Sequence, residues 1–533
     1  KGLKINPNRD AIILNSDTLV HGNWIDRLKS SAYKDERVGS VTPLTNNLTI
    51  FSYPNPASSE TQPALVKFYD DLCSDLTFEE DIQVPTPGGF CSFIKRKTLA
   101  DVGLFDAHAF NRGYGEENEW SLRSQKRMWN HVLSHTVYVG HRGGISFGQE
   151  KKKLLESSGR ILVTRWQQYP QVIQQYMQNN PINNIRQQLD ILSITKSSIK
   201  NRILYIGHGF GGGLETYLQK QLEINDGSIV IRNDLEKSGM SKIEFVGEQY
   251  YNLPMLNIRL SSMEFLKKFF EGARVKKISV QTTFGYDYNM PTWIANLAKV
   301  LDIPYEVTLH DYWTVCPRLR MFQVDHFCGG PESDVCNKCV LTYGSGLGQV
   351  DVDAWRKMYE EFLYKADKVI SPSKDLKTRI NGFFPHVDID VIPHEENLKI
   401  GSFEGSKKWD GKEEIRVAVI GNISPDKGSL LIKDCSEYCI ENDIPIKFIV
   451  FGALIDNSAI LKMIPPSQKL TILGNYEEQD IKTLLNLNAC HLSFFPALWP
   501  ETYSYTLSHS FKAGLFPIAF DIGAPAERIR EYN

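Results

Sequence analysis

Long apolar runs are missing from this 533-residue chain. No stretch of roughly eighteen apolar residues occurs, so nothing reads as a membrane span. No signal peptide is visible, and the first residue is Lys1. A basic excess is missing too: 60 Lys and Arg stand against 63 Asp and Glu, a net charge of -3, which gives no hint of a nucleic-acid surface. Cysteine is scarce and odd in number, at nine, which argues against a secreted disulfide scaffold and for a reducing compartment. No internal repeat is seen. What remains is an ordinary globular composition, 42% hydrophobic, in a chain long enough for about three to four domains. A strand follows residue 1 almost directly, and residue 533 falls inside an α/β unit, so the chain is expected to be a fragment cut at both ends.

Short apolar runs alternate with helical stretches through residues 1–150, the first expected domain. Pro85-Thr86-Pro87-Gly88-Gly89 marks a turn before the strand-like Phe90–Ile94. Residues 151–200 read as a helical extension and linker: helical apolar spacing to residue 179, interrupted by Pro170, then a polar stretch from Asn179 to Asn201 in which Leu189–Leu192 has helical character. A new domain, 201–400, opens with the buried-strand pattern Arg202–Ile206, the glycine loop Gly207–Gly213 and a helix over Leu214–Leu222. Strand, glycine loop and helix open a Rossmann-like unit. Further strands are expected near 228–231, 277–280, 305–309 and 368–370. The last domain, 401–533, starts at Ile415–Ile420, with strands near 446–450, 470–473, 489–494 and 516–520. The fold class is α/β, with parallel sheets covered by helices on both faces.

In the first domain, a parallel sheet would place its ligand site at the carboxyl ends of its strands. Ala11-Ile-Ile-Leu14 runs into Asn15-Ser16-Asp17, Glu116 and Glu117 open an amphipathic helix, and a later strand delivers His141. Asp17 offers the hard oxygen that magnesium or manganese takes while bridging to substrate phosphates, and His141 suits manganese. Glu117 has the chemistry of a base for an acceptor hydroxyl. The structural readings stay open: Asp17 as a turn or helix cap, Glu116, Glu117 and Glu119 as complements to the helix dipole, and His141 as a loop histidine.

Residues 11–148 resemble the second half of a GT-A-type transferase of glycosyltransferase family 2. NSD at 15–17, GGF at 88–90, VGLFDAHAF at 102–110 and GYGEENEWSLR at 113–123 match that family's motifs in order. The resemblance implies that Asn15 and Asp17 lie on the donor side, that Asp17 binds the metal, that Glu117 is the catalytic base and that His141 lies near metal and diphosphate. Glu119 stands where the family usually has aspartate. The family's first nucleotide-binding strands have no counterpart here.

In the second module Gly207, Gly209 and Gly212 fit G-x-G-x-x-G, with Asp234 about twenty residues on. A nicotinamide site, a diphosphate-binding glycine loop and a purely structural turn all fit that pattern. Later segments add to it. Val307–Asp311 is a strand ending in His310-Asp311, Lys427 precedes a helix where a lysine can clamp a diphosphate, and Glu501 follows the apolar Leu492–Phe495. A solvated Lys427 and a first-turn helix acid at Glu501 are the bland alternatives. Together GFGGGLETYL (209–218), TLHDYW (308–313), ADKVISPS (366–373), VIPHEEN (391–397), GNISPDKG (421–428) and the segment from Pro500 to Ile529 resemble glycosyltransferase family 4, a GT-B fold of two Rossmann-like domains. That resemblance implies that Gly212 and Gly213 approach the donor diphosphate or acceptor and that His310 contacts the donor sugar. It also implies that Lys427 neutralises the diphosphate, that Glu501 sits by the sugar, and that configuration is retained without a metal. Asn422 stands where the family commonly has Arg. His509 takes the place of a second glutamate that usually holds the ribose.

Cys316, Cys328, Cys336 and Cys339 fall close together, the last two as C-x-x-C. A structural zinc, free buried thiols and a disulfide are all open readings; four-cysteine insertions after the His-Asp motif also occur in relatives of family 4. Taken together, the expectation is a two-enzyme chain. An inverting GT-A module dependent on Mn2+ or Mg2+ is fused to a retaining, metal-independent GT-B module, with no organic cofactor. It would use nucleotide-sugar donors and a lipid-linked saccharide or glycan acceptor to build a surface polysaccharide such as an O-antigen or capsule. It would work in the cytoplasm, peripheral to the inner membrane, without a nucleic-acid partner. The alternatives are one active transferase with a second module that only binds glycan or partner, motivated by His509 and Asn422, and, more remotely, a nicotinamide oxidoreductase.

Overall fold

The computed structural model describes the chain apart from residues 1, 55–56, 58–60, 79, 111–114, 143–149, 238, 249, 251, 254–255, 258–261, 324–325, 395–408, 410, 458–461 and 533. Gly113, Tyr114 and residues 395–397, all quoted in motifs above, lie outside the described residues. The chain divides into two compact units, 1–198 with 248–254 and 199–247 with 255–533.

The first unit is built on a five-stranded sheet in the order Ala11–Leu14, Cys91–Ile94, Val38–Leu44, Asn130–Tyr138, Ile82–Gln83. The expected parallel sheet is not what forms. Only Val38–Leu44 and Asn130–Tyr138 run parallel, and the other three pairings are antiparallel. Strands covered on both faces read as short apolar runs whether they pair parallel or antiparallel, so the runs alone could not separate the two. Val38–Leu44 and Cys91–Ile94 are buried throughout, and helices Trp24–Tyr33 and Pro63–Ser74 pack on the sheet through Leu28, Ala32, Val66 and Leu72.

The polar stretch expected to be a linker is a helix, Asn183–Lys196, packed into this unit. Ile185 and Leu189, with Leu192 partly buried, supply an apolar stripe at helical spacing. Its buried polar groups are satisfied. Arg186 donates through Nε to the Ser52 carbonyl (2.8 Å) and through Nη1 to Asn180 (2.8 Å). Asp190 accepts from Tyr53 Oη (2.9 Å) and the Asn252 N–H (2.7 Å). Burial pushes the Asp190 carboxyl up to about 6. Pro170 lies in the first turn of Tyr169–Asn179, where its missing N–H costs nothing, and the preceding helix is Glu150–Arg165.

The second unit contains two sheets. The first has eight strands in the order Leu256–Asn257, Met240–Phe245, Ile229–Asn233, Arg202–Gly207, Val275–Val280, Tyr305–Thr308, Lys368–Ser371, Asp390–Val391. From Ile229–Asn233 onward the pairings are parallel; the first two strands extend the edge antiparallel. The second sheet centres on Ile415–Ile423, which runs parallel between Ile446–Asn457 and Leu492–Phe495. Phe516–Ala519 and Leu470–Ile472 extend it, also parallel. In both sheets the first strand lies between the next strand and a later one, so the order reverses beside it. Ligand crevices of open α/β sheets form at the carboxyl end of such a strand. Those ends are Gly207 and Ile423. No described helix is long and apolar enough to cross a membrane.

Candidate functional sites

In the first unit one glycine turn joins the three elements singled out in the sequence. The Phe90 carbonyl accepts from the Asn15 N–H (2.8 Å), which holds the end of strand Ala11–Leu14. The Phe90 ring stacks on His141 at 5.2 Å between centroids. Gly89 faces Glu117: a Cβ there would lie 3.1 Å from the Glu117 carboxyl carbon, so a larger residue would press on that carboxyl. Gly88 is fixed by its N–H donating to Thr42 Oγ1 (3.1 Å).

Asp17 lies just before the two-residue strand Thr18–Leu19, which faces Gly140–His141, with Thr18 paired to His141 and the Arg142 N–H donating to the Asp17 carbonyl (3.1 Å). Asn46 clamps the far strand, accepting from the His141 N–H (2.7 Å) and donating to its carbonyl (3.0 Å). His141 Nε2 lies 3.7 Å from Asp17 Oδ2, and its buried Nδ1 has no hydrogen-bond partner among the described residues. One carboxylate and one imidazole turned toward each other suit a divalent ion that draws its other ligands from phosphate and water. Among the described residues no group of three or more His, Cys, Asp or Glu is placed to hold a metal ion.

Glu117 lies in the first turn of helix Glu116–Gln125, and its Oε2 accepts from the Gly115 N–H (3.2 Å). Burial, then the neighbouring Glu116 charge, pushes its carboxyl up to about 7, where it can exchange a proton near neutrality. Burial also raises Glu116. Glu119 does something else. It is buried and held by Arg123 Nε (2.8 and 3.1 Å), whose guanidinium also donates to the Val102 and Leu104 carbonyls (2.9 Å each). Glu119 therefore anchors the helix.

In the second unit the glycine loop passes through Gly211 and Gly212 at positive φ (74° and 81°) into helix Gly213–Ile224. Asn233 Oδ1 accepts from the Gly209 N–H (3.1 Å), and Tyr286 Oη donates to the Gly207 carbonyl (2.6 Å). Asp234, the acid a nicotinamide site would need for its ribose, is buried and accepts from the Glu236 N–H in its own turn (2.9 Å). A Cβ on Gly213 would lie 3.3 Å from the Tyr505 ring.

His310 Nε2 donates to Gln281 Oε1 (3.0 Å), and the Gln281 amide donates to Ser279 Oγ (2.9 Å). Burial, then the charge of His208, lowers His310 to about 3, so the ring is neutral and offers Nδ1 as an acceptor. The His310 carbonyl accepts from Thr502 Oγ1 (2.7 Å), and Tyr312 Oη donates to the Pro500 carbonyl (3.1 Å). These two bonds bring the segment carrying Glu501 against the His310 strand end. Lys427, just before helix Ser429–Glu441, lies 3.2 Å from Glu501 Oε1. Gly523 leaves room for the Glu501 backbone, since its Cβ would lie 2.8 Å from the Glu501 nitrogen. Next to Lys427, Asp426 is buried and takes Arg320 Nη1 at 2.7 Å, a pairing the sequence did not suggest.

His509 is buried on helix Tyr505–Ala513 with its ring edge-on to Tyr476. It opens on a cavity of about 410 Å³ whose lining includes Lys482 and Lys512 but neither Lys427 nor Glu501. Sequence reasoning also missed His394. Its ring lies between Tyr217 (4.4 Å) and Tyr503 (4.3 Å), and its Nδ1 is hydrogen-bonded to Tyr505 Oη (2.8 Å). The only sequence signal was a histidine after Ile392-Pro393, at the point where the chain leaves the first sheet.

Cys316, Cys328, Cys336 and Cys339 line one cavity of about 20 Å³. All four are unpaired, so the disulfide alternative is not what this structure shows. Cys328 donates to the Met321 carbonyl (3.0 Å), while Arg318 and Arg356 donate to Cys339 (3.1 Å) and Cys336 (3.3 Å). Burial pushes the Cys316 thiol up to about 11.

No protein-family profile and no curated protein matches this chain. Among solved structures, HepE of Anabaena in complex with UDP-glucose is 14% identical, with a TM-score of 0.37 over 61% of this chain and 82% of that one. Sucrose-phosphate synthase of Thermosynechococcus elongatus is 14% identical, with a TM-score of 0.35 over the same shares. The catalytic domain of starch synthase IV of Arabidopsis thaliana, bound to ADP and acarbose, is 12% identical, with a TM-score of 0.34 over 62% and 84%. At these scores the likeness assigns no function.

Proposed function

We propose that the chain is a glycosyltransferase with two transfer sites, one in each unit. The observation that carries this is the Gly88-Gly89-Phe90 turn, whose Gly89 faces the half-buried Glu117 carboxyl and whose Phe90 stacks on His141 of the Asp17–His141 pair. In the first site the Glu117 carboxylate takes the proton of an acceptor hydroxyl. The hydroxyl oxygen bonds to the anomeric carbon, the bond from that carbon to the nucleoside diphosphate breaks, and configuration inverts. Asp17 and His141 would hold Mn2+ or Mg2+, which supplies positive charge at the diphosphate. Asn15 positions the donor side through its backbone.

In the second site, of GT-B type, Lys427 and the helix behind it offset charge developing on the leaving diphosphate, so no metal is needed. Glu501 and neutral His310 contact the sugar, Gly212 and Gly213 admit diphosphate or acceptor, and configuration is retained. His509 contributes to the nucleotide end through its own cavity. The acceptor is a glycan or lipid-linked saccharide of a surface polysaccharide, met at the cytoplasmic membrane face. A second reading, in which this unit only binds glycan, is favoured by Asn422 and by the separation of His509 from Lys427 and Glu501. A nicotinamide reading is disfavoured by Asp234, which is spent on its own turn.

A panel of nucleotide sugars tests the proposal. Two donors should be consumed, and a chelator should remove only one of the two activities. Two activities that both survive chelation would remove the metal role from Asp17 and His141. The four cysteines line one small cavity but as placed form no metal-holding group; we propose a structural zinc that would draw them together as thiolates. Purified protein should carry one zinc that Cys336→Ser with Cys339→Ser releases, with a lower melting temperature; zinc-free protein of unchanged stability would refute the assignment.

A further inference from the structure

We propose that Arg320 is a positioning residue for Lys427, and that the four-cysteine segment carries it there. The inference rests on the reading of Lys427 as the charge opposite the leaving diphosphate, and adds the side chain that aims it. Arg320 lies between Cys316 and Cys328, in the stretch that joins two strands of the second unit's first sheet. Asp426 and Lys427 follow the end of the second sheet's central strand. The Arg320 guanidinium touches both segments of the candidate site. Its Nη1 donates to Asp426 Oδ2 (2.7 Å), and its central carbon stands 5.9 Å from the centre of the Trp499 ring, just ahead of Glu501.

Asp426 is the residue through which Arg320 reaches Lys427. It is buried in the short turn Pro425–Lys427. Its Oδ1 accepts from Ser424 Oγ (2.5 Å) and its carbonyl from the Leu498 N–H (2.9 Å). The Lys427 N–H donates to the Ser424 carbonyl (2.9 Å). A Cβ on Gly428 would lie 2.2 Å from the Pro496 carbonyl oxygen, so the turn sits directly on the segment that leads to Glu501. An exposed ion pair would matter little. A buried carboxylate that loses its cation is costly, and it would turn toward solvent or toward the neighbouring Lys427 ammonium, taking the turn with it.

The backbone that presents Arg320 is unusual on both sides of it. Leu319 and Met321 hold positive φ (76° and 49°), a conformation that side chains of their kind seldom adopt. Such backbone persists only where its surroundings fix it, and it gathers at functional sites. Here the cysteine segment does the fixing. The Cys316 carbonyl accepts from the Leu319 N–H (2.9 Å), and the Met321 carbonyl accepts from both the N–H and the thiol of Cys328 (2.9 and 3.0 Å). The Leu319 carbonyl accepts from the Tyr312 N–H (3.1 Å), and the Tyr312 hydroxyl donates to the Pro500 carbonyl beside Glu501. Arg320 is thus held at its base from the cysteine segment and from the His310 strand end, with its tip on Asp426.

The test measures turnover of the donor that survives chelation, in the full chain and in Arg320→Met, Arg320→Lys, Lys427→Met and the double variant Arg320→Met with Lys427→Met. Arg320→Met should lower kcat by about 10–10²-fold, the cost of a slightly misplaced group, with little change in donor KM. Arg320→Lys keeps a charge for Asp426 and should recover part of that loss. The double variant should be no slower than Lys427→Met alone, because a residue that acts through Lys427 has nothing to act on once Lys427 is gone. A full rate in Arg320→Met beside a slow Lys427→Met overturns the proposal and leaves the role of Lys427 standing. Losses that multiply in the double variant also overturn it, since a folding defect or a direct contact with the donor would give that result. A full rate in Lys427→Met sinks the role of Lys427 itself, and this inference with it. If no donor is consumed, calorimetry with inorganic pyrophosphate in the presence of EDTA decides. Affinity should fall severalfold in Arg320→Met and in Lys427→Met, and no further in the double variant than in Lys427→Met. Equal affinity in the parent and Arg320→Met, or no binding by the parent, overturns the proposal.

Discussion

Glu117→Gln should lower transfer by the first site by about 10²–10⁴-fold, the usual contribution of a positioned general base. The amide keeps the shape that fits under Gly89 and loses only the ability to take a proton. Donor affinity should therefore hold while kcat falls. The parent's rate should rise with pH through about 7, because Glu117 must be ionised to act and burial with the Glu116 charge has raised its carboxyl to that value. Glu116→Gln removes a neighbouring negative charge, so the rise should move to lower pH. A pH–rate profile of parent and Glu116→Gln checks both statements. A rise left in the ordinary carboxylate range, or unmoved by Glu116→Gln, contradicts the assignment of the base.

Lys427→Met should cost the second site about 10²–10³-fold in kcat, comparable to removing one preorganised donor from a developing oxyanion. The lysine is well placed for that role because Glu501, 3.2 Å away, and the first turn of helix Ser429–Glu441 fix its position at the sheet's switch point. Lys427→Arg should restore part of the rate, since it keeps the charge but not the compact ammonium. Steady-state kinetics with the donor of the second site, with the first site's donor as internal control, gives the answer. A full rate in Lys427→Met would favour the reading in which this unit only binds glycan.

Most strands of the second unit were legible because parallel strands buried on both faces read as short continuous apolar runs. Arg202–Gly207, Val275–Val280 and Lys368–Ser371 begin or end within a few residues of expectation. Met240–Phe245 was not legible. It lies one strand in from the edge, and its alternating exposure leaves Lys242 and Glu244 outward, so no apolar run marks it. Of the helix Asn183–Lys196 only Leu189–Leu192 was legible, because its polar residues masked the rest. Arg186 and Asp190 look like linker composition until the structure supplies Ser52, Asn180, Tyr53 and Asn252 as their partners.

The chemistry-bearing residues were easier to see than their supports. Asp17 and His141 were expected to meet, and the structure places them 3.7 Å apart. Asn46, which clamps the His141 strand, and Thr502, which ties the Glu501 segment to His310, carried no signal, because a hydrogen bond across 95 or 192 residues leaves no local pattern. The helical apolar spacing before residue 179, at Leu162, Tyr169 and Ile173 among others, was plain, but the same stripe fits a packed core, and only the structure shows an open groove along it.

The central claim is that one chain holds two independent transfer sites. It is tested most directly by giving the parent, Glu117→Gln and Lys427→Met chains the same panel of nucleotide sugars and acceptors. Each variant should lose the turnover of one donor and keep that of the other, with the losses falling on different donors. Loss of a single shared activity in both variants, or of neither, would contradict it.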